Sequence, residues 1–203
     1  MLTPEPSRPE ENRARGGALV GLGAGLSALI CLLSGLSQYV SNGTLSLSYP
    51  DSFMRLVRLR DELAAGHALQ MVVREASGQG LLLHWSHLLE AMVALLATPL
   101  AWLMPQPEAL SWAAMLLGPV SMAILGATLV WALLPVVSRD FLWTAAPAVA
   151  LSPTVICYGQ AGIVHHHILL AAAATALAGW TVRLLQGLSG RDGGLALAAW
   201  AVG

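Results

Sequence analysis

Long uncharged stretches alternate with short polar ones along this chain. Residues 16–50, 91–107, 109–138 and 141–182 contain no Asp, Glu, Lys or Arg, so four windows have the length to reach or cross a hydrocarbon core of about 30 Å, for which roughly 20 apolar residues suffice. The apolar runs predict helices at about 17–39, 87–104, 110–135, 141–158 and 167–188, and a last one starting at about 193. The segment at about 40–83 is polar. Because the final run is still apolar at Gly203, the chain is expected to be the front part of something longer.

The polar segment contains its own periodicity. In SYPDSFMRLVRLRDELAAG (48–66), Phe53, Leu56, Leu59 and Leu63 recur at helical spacing with Met54 and Val57 beside them. Arg55, Arg58, Asp61 and Glu62 take the other face, Arg58 and Glu62 at i,i+4. Gly66 suits the left-handed residue that ends a helix. Such a helix fits the membrane interface, apolar side on lipid or on the bundle, charged side toward water or a cleft. Asp51 stands at its mouth. There it either caps the helix or offers a carboxylate at the membrane boundary, able to take a proton or to ligate a divalent cation.

Composition narrows the class. At 56% hydrophobic, 10% charged and a mean hydropathy of +0.67, the chain is an all-α polytopic membrane bundle rather than a water-soluble domain. All ten basic residues are arginine and the net charge is −1, which gives no reason to expect a nucleic-acid partner or a polybasic lipid-binding tail. Cys31 and Cys157 fall in apolar runs and read as small hydrophobes rather than a disulfide. Arg13 and Arg15 precede a hydrophobic run as in a secretory signal, but Gly16 to Val40 is too long and no A-x-A site follows. Residues 1–15 are therefore read as a cytoplasmic tail and 16–203 as the transmembrane domain. Glycines 17, 21 and 25 are spaced to let another helix approach closely.

Orientation follows from the arginines, which are retained on the cytoplasmic side. If the 87–104 helix crosses fully, three arginines are cytoplasmic and seven face outward; if it lies at the outer surface or re-enters, the count becomes six against four. The second arrangement is preferred, supported by Pro99 and by the join MPQPEALS, which has no basic residue. It puts a first outer loop at about 40–109 and a second at about 159–167 on one extracytoplasmic face. Under the other arrangement the two could not share a site.

Histidines supply the remaining candidate chemistry. His84 and His87, at i,i+3, either bind phosphate or metal or are simply solvated at a helix start. Trp85 is read as an interfacial anchor in preference to a sugar-stacking platform. The run His165, His166, His167 cannot aim at one ion from a regular helix, because successive side chains rotate by about 100°. A pair in a loop can, and ionisable groups at membrane depth are functional by default.

PDSFMRLVRLRDELAAG, then GLLLHWSHLLEA, then AGIVHHH, taken in order, resemble the front half of bacterial multi-pass glycosyltransferases of the C superfamily, which includes the oligosaccharyltransferase catalytic subunit, the protein O-mannosyltransferases and the lipid A aminoarabinose transferases. Proteins of that kind read D-D-Y-M-R-L-x-x-V-R-D, H-W-S-R-L-x-D and I-D-H-H-N at these places. Asp51 matches the first acidic residue, Arg55 and Arg60–Asp61 the arginine and the Arg-Asp pair, His84–Trp85–Ser86 the H-W-S, and His165 and His166 the paired histidines. The chain departs at Ser52, His87, Glu90, Val164 and His167. The resemblance covers about residues 20–190.

It implies a glycosyltransferase C-type bundle with an amphipathic helix in the first outer loop. The activity it implies is transfer of a sugar from a polyprenyl-phosphate donor to an acceptor on the outer face of a cell inner membrane, with the N-terminus cytoplasmic. Asp51 is the candidate catalytic base. Arg55, Arg60, His84 and Trp85 are candidates for substrate or phosphate binding, with only one of the two arginines expected to face the site. Asp51, His165 and His166 are candidates for holding a divalent cation, Mg or Mn. The partners are then the lipid-linked donor and membrane lipids. A polytopic transporter, or a non-catalytic or truncated inactive copy, are the rival readings; no internal repeat favours the first, and Ser52 and Val164 keep the second open.

Overall fold

A computed structural model describes residues 9–42, 47–72, 77–82 and 85–187. Helix α1 runs Pro9–Asn42, α2 Pro50–Ala65, α3 Leu88–Leu100, α4 Gln106–Leu133, α5 Arg139–Ala150, α6 Pro153–Gly159 and α7 His167–Leu185. A two-stranded antiparallel ribbon, β1 Met71–Val72 with β2 Leu81–Leu82, pairs Met71 with Leu82. The helix expected from about residue 193 lies outside the described residues, as does His84.

Three helical segments are long and apolar enough to cross a membrane: Ala14–Leu36, Gln106–Leu133 and His167–Leu185, or four with α5 and α6 taken as one bent span. The described residues are thus mostly helical, with apolar helices compatible with a multi-pass membrane protein. The expected single helix over 141–158 is in fact two pieces bent by 71°. Pro153, which lacks an N–H for the preceding turn, opens the second piece. Helix α3 has only 13 residues. That is a rise of about 20 Å, short of a bilayer core.

The chain divides into two compact units, one of Met1–Ile30, Ser121–Cys157 and His167–Gly203, the other of Cys31–Val120 and Tyr158–His166. In the first, Val130, Leu142 and Ala146 form a buried cluster with Leu19, Val20 and Leu134 against it. Helices α1 and α4 touch there through Gly23 and Gly126: a Cβ at 23 would sit 3.0 Å from the Gly126 carbonyl oxygen. Glycines 17, 21 and 25, expected to be the contact row, have nothing within 4 Å of the point where a Cβ would stand. Gly23 is two residues, about 200°, from both 21 and 25, so the contact uses the opposite side of α1. At the end of α7, Arg183 donates to the Trp131 and Gly179 carbonyls (2.6 and 3.0 Å), and its guanidinium lies 3.7 Å over the Trp131 ring.

The second unit contains the first expected outer loop and residues 159–166 of the second. Its core is a buried backbone segment, Ala161–Val164, whose polar groups are satisfied by neighbours. Ala161 N–H donates to Cys31 O (3.4 Å), Gly162 N–H to Met115 O (3.1 Å), and Gly162 O accepts from Ser48 N–H (3.0 Å). Glycines permit this. A side chain at Gly35 would run into Ala161, and one at Gly118 into the Gln160 and Gly159 carbonyls.

Helix α2 packs against α3 and is capped as its sequence requires. Pro50 takes the first helical position, where its missing N–H costs nothing. Gly66 closes the other end with φ 74°, its N–H donating to Glu62 O. The burial of its faces differs from the expectation. Ser52, Arg55, Leu56, Arg58 and Leu59 are buried, while Phe53 and Leu63 are nearly half exposed. Two arginines have turned inward because a carboxylate awaits them.

Candidate functional site

That carboxylate is Glu90, in the first turn of α3 and 2% exposed. Arg55 Nη1 donates to both of its oxygens, at 3.1 and 3.3 Å, and Arg58 Nη2 donates to Oε1. Arg58 also reaches the carbonyls of Trp85 and Ser86, both at 3.5 Å. The Arg55 guanidinium lies 4.4 Å over the Trp85 ring. Burial pulls the Arg55 guanidinium below its ordinary pKa, with the adjacent Glu90 charge opposing that shift. Glu62 ties the far end of α2 to the segment before α3: its Oε1 is 3.0 Å from His87 Nδ1 and accepts from Leu69 N–H at 3.0 Å.

This arrangement separates the two arginines read as phosphate ligands. Arg55 is buried, with Nη1 donating to Glu90 and its guanidinium over one face of Trp85. Arg60 is exposed, held at the start of α4 by bonds from Nη2 to Pro107 O (3.2 Å) and Ser111 Oγ (3.0 Å). Of the two, Arg55 is thus buried and Arg60 exposed.

At the other end of α2 the structure brings the acidic mouth and the histidine loop together. Asp51 is not the cap: Tyr49 holds that position, and Asp51 is the second helical residue with its carboxylate about half exposed. Its Oδ2 lies 3.8 Å from His165 Nε2. That is beyond a hydrogen bond but within ion-pair range. Ser52, next to it and fully buried, accepts a hydrogen bond from the Val164 N–H at 3.0 Å, which fixes the histidine loop against α2. His165 meets Tyr49 and Tyr158 edge-on, ring centroids 6.1 and 5.4 Å away, and His166 is 6.1 Å off. Asp51 and His166 thus each neighbour His165.

Two donor atoms 3.8 Å apart can reach one ion when each bond is about 2.0–2.2 Å, so Asp51 and His165 fit a shared cation. The ligand atoms of His165 and His166 lie within 4.8 Å of each other. Imidazole donors suit manganese or zinc better than magnesium, which keeps oxygen ligands.

Sequence reasoning missed Glu90 as a partner, Arg58 as its second counter-ion, and both tyrosines around His165. Glu90 carried a usable signal: it is the one acidic residue of an otherwise apolar helix, and such a group needs a cation. No family model, curated protein or solved structure matches the chain.

Proposed function

We propose that this chain acts as a membrane glycosyltransferase that moves a sugar from a polyprenyl-phosphate carrier to an acceptor on the extracytoplasmic face, with the N-terminus cytoplasmic. The observation that carries the reading is the approach of Asp51 Oδ2 to His165 Nε2, 3.8 Å across a sequence separation of more than a hundred residues.

In this reading Asp51 takes the acceptor's proton as general base, with His165 aligned by its two tyrosine neighbours and able to share the charge. A divalent cation bound by Asp51, His165 and His166 would neutralise charge on the departing phosphate. The half-exposed carboxylate leaves room for an acceptor hydroxyl or amide. Arg60, nine residues along α2 from Asp51 and so a rise of about 13 Å away, stands apart from the Asp51–His165 pair. Ser52 and Val164 stand where the family pattern has carboxylates, so the site carries fewer acidic ligands than that pattern and leans on imidazole instead.

The test is transfer of labelled sugar from a polyprenyl-phosphate donor by the reconstituted protein. Asp51→Asn is expected to abolish incorporation while leaving membrane insertion and thermal unfolding as in the wild type; undiminished transfer overturns the base assignment. Cysteines placed at Pro50 and His166, both exposed, are expected to react with an impermeant thiol reagent from the same, outer side. Labelling from opposite sides defeats the shared site.

A further inference from the structure

Two cavities of the Cys31–Val120 and Tyr158–His166 unit adjoin across Trp112 and Met115, which line both. The first, about 230 Å³, has Arg60 and Ser111 in its wall, and Arg60 is the one charged residue lining it. The second, about 150 Å³, is lined by aliphatic and aromatic residues, Leu33 and Leu36 among them. A groove with one cationic end and one wholly apolar end therefore runs from the start of α4 alongside α1.

What surrounds the apolar end is set by the fold. Leu33 and Leu36 are 55% and 52% exposed, and they belong to the Ala14–Leu36 segment that is long and apolar enough to cross a membrane. In a bilayer, the medium that meets such side chains is acyl chain. At the polar end, both hydrogen bonds of Arg60 leave from Nη2, to Pro107 O and Ser111 Oγ. Among the described residues, none accepts from its Nε or Nη1. A guanidinium held on one edge and open on the other suits a phosphate, which accepts two parallel N–H bonds.

We infer that this groove binds an anionic phospholipid of the surrounding bilayer, its phosphate on the open edge of Arg60 and an acyl chain lying past Trp112 and Met115 toward Leu36. Ser111 holds that arginine in place while donating its own proton to Pro107 O. A zwitterionic head would bring its own ammonium to a site already cationic, whereas an anionic head brings none. The site is separate from the Asp51–His165 pair, and its occupancy does not depend on sugar transfer.

The experiment uses the full chain in nanodiscs of mixed phosphatidylglycerol and phosphatidylcholine, with retained lipid read by native mass spectrometry. The wild type is expected to retain phosphatidylglycerol about tenfold over phosphatidylcholine, since both offer Arg60 a phosphate but only the choline head brings a repelled ammonium. Arg60→Gln is expected to erase that preference, and Arg60→Lys to restore part of it. Leu36→Trp, which fills the apolar end at an exposed position, is expected to lower retention of both lipids. Unchanged preference in Arg60→Gln overturns the inference. So does retention of added polyprenyl phosphate with exclusion of phosphatidylglycerol, which would give the groove to another lipid.

Discussion

The Val164 N–H donates to Ser52 Oγ at 3.0 Å, joining two fully buried positions 112 residues apart. This bond holds the histidine loop in register with α2, and so sets the distance from His165 to Asp51.

Ser52→Ala is therefore expected to destabilise the protein by about 1–3 kcal/mol, since a buried N–H is left without an acceptor. Thermal unfolding in detergent reads this. Because the same change loosens the loop, any transfer activity should fall further than the loss of folded protein accounts for.

Glu90→Gln should damage the fold more than Ser52→Ala does. It leaves Arg55 and Arg58 facing each other in a site where the Arg58 and Glu90 side chains are 0% and 2% exposed, and breaking a buried pair costs roughly 3–5 kcal/mol. The yield of folded protein after extraction is the readout. A combined Arg58→Met and Glu90→Gln change is expected to recover part of the loss, because Arg55 then remains the single buried cation.

Arg60→Gln should behave in the opposite way. Its side chain is exposed and its bonds reach only the rim of α4, so stability is expected to change by no more than about 0.5 kcal/mol. A loss comparable with that of Glu90→Gln, measured by the same unfolding assay, would show that Arg60 is structural.

The glycines give a paired prediction. Gly118→Ala would push a methyl group onto the Gln160 and Gly159 carbonyls and should cost about 1–3 kcal/mol, as overpacking does. Gly21→Ala meets nothing within 4 Å and should leave the unfolding temperature unchanged or raise it, because alanine is the better helix former.

Much of the helical framework could be read from the apolar runs, since a run of uncharged residues admits few alternatives in lipid. The ends of α2 were legible for a similar reason: Pro50 and Gly66 are local signals with local causes. The faces of α2 were not. Periodicity records which residues share a side, and it left the arginines facing water or a cleft; only a partner 32 and 35 residues away in sequence decides that they are buried. The break at Ser152 was signalled by Pro153 but hidden by the continuous hydrophobicity around it. At the site, the meeting of Asp51 with His165 could be framed from the arginine count as a condition on topology. The tyrosines beside His165 could not, because nothing in the spacing of Tyr49 or Tyr158 distinguishes a neighbour of histidine from a lipid anchor.

The Arg55–Glu90–Arg58 cluster also bears on biogenesis. The ribosome makes the two cations first and their shared anion 35 and 32 residues later, an interval on the order of seconds at translation rates of about 5–20 residues per second. Until α3 emerges, the inner face of α2 has only its own helix's carboxylates, Glu62 at 3.9 Å from Arg58 Nε among them, as counter-charge and lacks the helix it packs against. A nascent chain arrested before Leu88 should leave that segment accessible to protease at the bilayer surface, and release of the arrest should let it dock.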